Sequence, residues 1–471
     1  MGIEAVCLSD LHFGAENSLL SRVDDNARVD SDNPSAALTA LVDCLRALLQ
    51  DQTGPRPTLI LNGDVLELAL AQDNIAAMVF DRFVDLAFSQ DAIFDPTVLY
   101  IPGNHDHHIW ETARERMYAD YVSTTPPDTD LRVPWHATNM FVPDMHHSSE
   151  SELLSALMKR RAGSDLKVVI VYPNLGLEAP GSEHIAVVHH GHFTEPLYRV
   201  MSEGKSQLFP RQPPGLDVWD WEADNFAWID FFWSSLGRSG SAGEDVGVIY
   251  DMLVDPHAVE TLAGEFGALA GRFGPSAIRP LLGHAGRLVA RPVAKSALKK
   301  VERMNPSAVL SDSAKKGLRE YLCGPIARQL KREKRPTSAV SFLFGHTHKP
   351  FECAQTLPNF STPVEIFNSG GWVVDKEKPE PLHGASVLLV DDNSQVSALR
   401  MFNQSPNPAD YKVALQPRPN GQPTELDEWI ARHCDFSKAP WSEFSKTVAS
   451  EVNLRCQLLP KIIDRGMRYT R

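Results

Sequence analysis

Thr97-Val98-Leu99-Tyr100-Ile101-Pro102-Gly103-Asn104-His105-Asp106 decides how this chain is read. An apolar, β-branched run stops at Pro-Gly and gives way to an amide, an imidazole and a carboxylate. Such a pattern predicts a strand that ends in a tight turn carrying polar ligands. The same junction recurs four times. Asp10-Leu11-His12 follows the apolar run 3–9, and Gly63-Asp64 follows 58–62. His190-Gly191-His192 follows 185–189, and Gly345-His346-Thr347-His348 follows 339–344. Carboxylate, imidazole and amide oxygen suit borderline first-row metals, and two such ions can share one carboxylate.

Each cluster has its own chemistry. Asp10 and His12 alternate along an extended chain, so their side chains project to one side. Gly63 lets the backbone turn tightly before Asp64. The Asn104 oxygen can ligate a metal without adding negative charge. The next imidazole, His105, stands ready to handle a proton, for which its ordinary pKa of about 6.5 is suited. His107 and His108 are expected to face solvent or begin the next helix. Of three neighbouring imidazoles, His190 is the expected ligand because it leaves the strand just before a glycine. His189 then points into the core and His192 toward substrate. His346 and His348 again share a face, and each can serve a different ion.

Around these clusters the first 105 residues alternate strand (3–9), helix (34–49, capped by Asn33), strand (58–62), helix (75–88) and strand (97–102). That alternation predicts an α/β sheet with parallel pairings. A helix is expected over 107–120, and loop over 123–150 with one short strand near 139–142. Strands at 167–172 and 185–189 read as an antiparallel ribbon joined through 173–176 and 180–181. From 197 to 336 helical patterns dominate, at 220–236, 246–253, 257–272, 278–304 and 313–333. Strands return at 339–344, 364–367, 385–390 and 396–401. Helices follow at 426–432 and 441–463. The expected organisation is a core in two parts (1–196 and 337–403), a helical insert or cap (197–336) and a C-terminal extension (404–471).

Bulk properties narrow the function. The 471 residues carry 46 basic and 60 acidic side chains, a net charge of −14. A general nucleic-acid binder needs the opposite sign, so that partner class is disfavoured. Six dispersed cysteines form no CxxC pair, and Cys7 inside the first strand reads as a buried thiol. With no secretory pattern or transmembrane run, a cytoplasmic chain is expected.

The ordered series D-x-H, G-D, G-N-H-D, H and G-H-x-H resembles the calcineurin-like metallophosphoesterase superfamily. The resemblance covers roughly residues 1–195 and 338–400, not the insert or the tail. It implies an α/β/β/α fold: a sandwich of two β-sheets flanked by helices, with metals at the C-terminal ends of strands. It also implies two divalent ions, manganese first, with iron or zinc also suited. One would be held by Asp10, His12, Asp64 and His348, the other by Asp64, Asn104, His190 and His346. His105 matches the family's non-ligand acid or charge stabiliser, with Glu67 or Asp106 orienting it. The implied activity is hydrolysis of a phosphomonoester or phosphodiester by a metal-bridging hydroxide. The UDP-diacylglucosamine pyrophosphohydrolases are neighbours, but they carry arginine where this chain has His105. A nuclease fits the acidic balance poorly. A metal-free scaffold on the same fold would lack ligands, and none is missing here.

The insert adds a hint about substrate. Trp219, Trp221, Trp228 and Trp233 fall within fifteen residues, with Phe226, Phe231 and Phe232. They form either the core of a cap or an apolar wall that grips a hydrophobic, lipid-like moiety, with Trp221 and Trp228 on one face. Gly237, Gly240 and Gly243 lie beyond, in a serine-containing loop that reads as a hinge. Arg199 and Lys205 are candidate phosphate contacts or ordinary surface charges.

Overall fold

In the computed structural model, the described residues are 2–52, 54–141, 149–199, 202, 217–230 and 308–468. They build two β-sheets packed face to face with helices on both outer sides. The first sheet has the order β13-β12-β11-β1-β2-β3-β5-β4. Its parallel centre is β1 (Ile3–Leu8), β2 (Thr58–Asn62), β3 (Thr97–Ile101) and β5 (Lys167–Ile170). β4 is Ser149–Glu150, and β11 (Gly384–Asp391), β12 (Val396–Asn403) and β13 (Ala414–Leu415) complete the other edge. The second sheet runs β6-β7-β8-β10-β9. In it β7 (Ile185–His189), β8 (Val340–Phe344) and β10 (Val364–Asn368) are parallel, while β6 (Asn174–Glu178) and β9 (Phe351–Gln355) are antiparallel edges.

Alternation of side chains sets the layers. Cys7 pairs with Ile60, Ile60 with Leu99, and Leu99 with Val169, a row that points into the space between the sheets. From the other side Val188, Leu343 and Phe367 meet it. Cys7 is fully buried there, as its sequence position suggested. Val6, Leu59 and Val98 point the opposite way, into a core shared with α1 (Ala36–Leu49), α2 (Asp73–Val84), α3 (His108–Thr124) and α4 (Glu152–Ala162). The outer face of the second sheet, with Val187, Phe342 and Ile366, packs on the described helices of the insert. These are α5 (Val218–Ile229), α6 (Asp312–Tyr321) and α7 (Ala327–Arg332). The insert thus supplies the fourth layer of the sandwich.

Several local expectations need correction. Residues 167–172 and 185–189 do not pair as a ribbon. The chain leaves the first sheet after Ile170, and Asn174–Glu178, read as a connector, is the strand that pairs with β7. Pro173, which has no N–H to give to a ladder, stands at that crossing. Ser35, not Asn33, caps α1, its hydroxyl accepting from the Leu38 N–H at 3.0 Å. The helix expected over 313–333 is broken by a π-helical turn at Leu322–Ile326, where Pro325 cannot supply its N–H. The helical patterns at 246–253, 257–272 and 278–304 lie outside the described residues.

The tail joins the first helical layer through α8 (Glu425–His433) and α9 (Trp441–Arg468), the latter packing along α1. Its Arg455, 1% exposed, donates to the carbonyls of Ser18 and Ser21 in the loop after His12 and pairs with Glu451 at 3.1 Å. No helix among the described residues is long and apolar enough to cross a membrane. Arg455→Ala strands those carbonyls in the interior and should lower unfolding free energy by about 3 kcal/mol, read from urea denaturation.

Candidate metal centre

Parallel strands end together, and the five clusters lie at those ends. Asp10 and His12 follow β1, Asp64 follows β2, and Asn104 and His105 follow β3, three adjacent strands. His190 follows β7, and His346 and His348 follow β8, adjacent strands of the other sheet. The local backbone is unusual. Asp10, His12, Asp64, His346 and His348 all have positive φ, between 47° and 69°. A left-handed conformation costs an L-residue about 1 kcal/mol or more and is retained where its surroundings enforce it. Gly345 permits the closest approach, since a Cβ there would collide with the Asp10 carboxylate and the Ser9 hydroxyl.

Two groups of ligand atoms result, each drawing on both sheets. Asp10, His12 and His348 form one, and Asp64, His190 and His346 form the other; in each, the ligand atoms lie within 4.8 Å of one another. His12 Nε2 stands 3.3 Å from His348 Nε2, and His346 Nδ1 stands 3.3 Å from His190 Nε2. Asn104 Oδ1 is 3.1 Å from His190 Nε2. A single Asp64 oxygen, Oδ2, lies 3.2 Å from His190 Nε2 and 3.9 Å from His12 Nε2, so it faces both groups.

The outer nitrogens explain which lone pairs point inward. His12 Nδ1 is held by Glu67 at 2.8 Å, and His348 Nδ1 by Asp375 at 2.8 Å. His190 Nδ1 faces the Asn62 carbonyl at 3.2 Å, and His346 Nε2 faces Glu195 at 3.2 Å. The oxygen beside each outer nitrogen favours the proton there, which leaves the other nitrogen to turn inward as a lone-pair donor. Two such donors 3.3 Å apart match the spacing around a tetrahedral ion, roughly 3.3–3.4 Å for metal–nitrogen bonds of about 2.0–2.1 Å. The donor set therefore fits two metal ions.

Glu67 has a second partner. Its other oxygen meets His105 Nδ1 at 2.8 Å, so one carboxylate holds both His12 and His105. Burial works to raise this carboxyl, but the two imidazoles hold it well below the usual carboxylate range. His105 is fixed further by its N–H, which donates to Asp64 Oδ1 at 2.8 Å. Asp106, the other candidate for orienting His105, has a different task. It accepts from the Tyr100 hydroxyl and from the N–H groups of Gly103 (2.6 Å) and Val65 (2.8 Å), pinning the turn that presents Asn104.

The remaining expectations divide. His107 stands at the N-cap of α3, which His108 begins, and is fully buried against Tyr172 and Phe226 rather than facing solvent. His108 is half-buried and groups with Glu111 and Asp230. His189 is buried, its Nδ1 accepting from the Gly191 N–H at 2.8 Å. His192 is buried with its ring 5.8 Å from that of His190. Arg199 pairs with Glu320 at 2.8 Å and lies over Trp221. The Trp228 side chain, Lys205, Phe231, Phe232, Trp233 and the three glycines fall outside the described residues. Glu195 and Asp375 escaped sequence reasoning, because a lone acidic residue in a loop has no diagnostic spacing.

Scanned against protein-family models and against curated proteins, the chain matches none. Fold and site nonetheless define a class: a two-sheet α/β protein, consistent with a metallophosphoesterase-like fold, with buried His/Asp clusters able to hold two metal ions.

Protons compete with cations for these donors. Burial depresses the His12 imidazole, yet Glu67, Asp64 and Asp10 push it up to about 9. His190 is likewise depressed by burial but raised to about 9 by Asp64 and Asp10. Both are thus protonated below about pH 9, and a cation must displace those protons. Metal affinity should rise with pH toward that value, with proton release seen by calorimetry in two buffers; pH-independent uptake would contradict the assignment. Asp64→Asn should deplete metal from both clusters, measured by elemental analysis.

Proposed function

We propose that this chain is a dinuclear metal-dependent phosphoester hydrolase of the calcineurin-like type, acting on a phosphomonoester or phosphodiester. The observation that carries this reading is the inward turn of four imidazoles onto two carboxylates, with the outer nitrogens of His12, His190 and His348 hydrogen-bonded to an oxygen and that of His346 facing Glu195. Asp10, His12, Asp64 and His348 would hold one ion, and Asp64, Asn104, His190 and His346 the other. Manganese is the first candidate, and iron or zinc suits the same mixed donors. When bound, such a pair neutralises phosphoryl charge and acidifies water for in-line attack on phosphorus.

The protein's own groups supply the rest. Glu67 accepts a hydrogen bond from the Nδ1–H of His105, so proton delivery to a leaving oxygen falls to Nε2. The same carboxylate orients His12, which ties the acid to the metal cluster. Positive φ at five candidate ligands keeps the donors pre-set instead of gathering them at each turnover. Six free thiols suit a reducing compartment, and we place the protein in the cytoplasm.

Protein reloaded with Mn²⁺ should cleave p-nitrophenyl phosphate or its bis ester, and failure on both would overturn the proposal. His105→Ala should lower turnover of an ester with a poor leaving group about 10²-fold or more at unchanged metal content. Glu67→Gln should impair turnover and also weaken metal binding, because its carboxylate serves both histidines.

A further inference from the structure

Apart from the strand-end groups, a further set of ligand atoms converges where the insert meets α3. It consists of His108 Nδ1, a carboxylate oxygen of Glu111 and one of Asp230, all within 4.8 Å of one another. His108 and Glu111 lie in the first turn of α3, three positions apart, so both project from one side of the helix. Asp230 directly follows α5. His108 Nδ1 stands 3.2 Å from Glu111 Oε2 and 3.8 Å from Asp230 Oδ1. The fully buried His107 sets its own Nδ1 3.4 Å from the same Asp230 oxygen and helps to hold that carboxylate in place.

An ordinary ion pair would account for His108 and Glu111, but not for a second carboxylate brought against them. Protonated, His108 supplies a single positive charge to two acidic groups. The imbalance is felt at Glu111: burial and the neighbouring Asp230 carboxylate hold its carboxyl above the usual range, with His108 opposing. Arg114, further along α3, is directed elsewhere, its Nε donating to the Trp135 carbonyl and its guanidinium lying over Phe226 at 4.6 Å. With a neutral imidazole the set carries two negative charges, which a divalent cation matches. Donors bonded at about 2.0–2.2 Å to a tetrahedral ion stand roughly 3.3–3.6 Å apart. The observed 3.2 and 3.8 Å bracket that spacing. An imidazole beside carboxylates suits zinc, manganese or iron rather than calcium or magnesium, which take oxygen donors. The His108, Glu111 and Asp230 side chains are 28%, 38% and 14% exposed, so an ion and its water ligands reach them without rearrangement.

We propose that His108, Glu111 and Asp230 bind a third divalent first-row cation, which ties α5 of the insert to the start of α3. Zinc is the best match to three such donors with a tetrahedral corner left for water. The site shares no donor with the strand-end groups and does not depend on the phosphoesterase reading. Its place in the fold gives it a consequence. Because α3 begins shortly after Asn104 and His105, the ion fastens the insert to the segment that presents them.

Calorimetric titration of the chelator-treated full chain with Zn²⁺ should show one binding event beyond those of the strand-end groups. His108→Ala, Glu111→Gln and Asp230→Asn should each weaken that event about 10²-fold or more and leave the others in place. Metal-free, these variants should melt with the wild type, since all three positions are solvent-accessible. Asp64→Asn should keep the event, and Asp64→Asn combined with His108→Ala should lose it. Zn²⁺ should accordingly raise the melting temperature of Asp64→Asn but not that of the double variant. Unchanged Zn²⁺ uptake in the three single variants, or loss of the event in Asp64→Asn alone, would overturn the proposal. A His108-dependent event with no other binding would instead sink the dinuclear reading and leave this one standing.

Discussion

Two buried carboxylates and four imidazole lone pairs aimed at the same small volume form an arrangement that electrostatics forbids without positive charge in their midst. Removing a carboxylate from water costs several kcal/mol even after the protein relaxes, and like charges at close range add to that cost. Asp10 and Asp64 are 0% and 2% exposed. The fold accepts this because protons or metal ions can supply the missing charge, and because the outer edge of every imidazole is anchored. Positive φ at Asp10, His12, Asp64, His346 and His348 is part of the same arrangement. A relaxed backbone would let these side chains splay apart.

The architecture turns that local demand into a global one. Each ligand group takes members from both sheets, so the distance between sheets sets the distance between donors. That spacing is fixed by apolar side chains such as Cys7, Ile60, Leu99, Val188 and Leu343, which fill the gap between the layers. Direct ties reinforce it. The His346 N–H donates to Asp10 at 2.9 Å, and the Asn62 amide donates to the His189 carbonyl at 3.1 Å. A one-residue slip in β1 or β8 would turn the strand's side chains to opposite faces and dismantle the site and the core together.

Much of this was legible in the chain because it rests on local chemistry. β2 and β7 fall where alternation and turn residues placed them, and donors from the first, second, fourth and fifth clusters come together in two groups. Partners fixed only by tertiary structure were not legible. Glu195 and Asp375 reach their histidines from loops with no periodicity, and nothing near Glu67 shows that it serves two imidazoles rather than one. β9 was missed because an edge strand with mixed polarity, Phe351-Glu352-Cys353-Ala354-Gln355, carries a weak pattern. The crossing after Ile170 was misread because two apolar runs near in sequence suggest a hairpin even when a third, short strand lies between them. The insert's helical character was visible, but periodicity cannot say which surface an apolar stripe will cover.

That last point bears on how the insert and the site depend on each other. The insert's described helices do not stand apart from the layers that carry the ligand groups; α6 and α7 cover the outer face of the sheet that delivers His190, His346 and His348. The segment leading into the insert carries Glu195 onto His346 and sets the Tyr198 ring 5.2 Å from it. One residue further, Arg199 is clasped by Glu320 of α6 and lies over Trp221 of α5. A movement of the insert's helices is therefore felt at the imidazole they help to orient, and the helical layer is a structural condition for the geometry of the second ligand group. The packing of the insert and the geometry of the second ligand group are in this way set by the same surface.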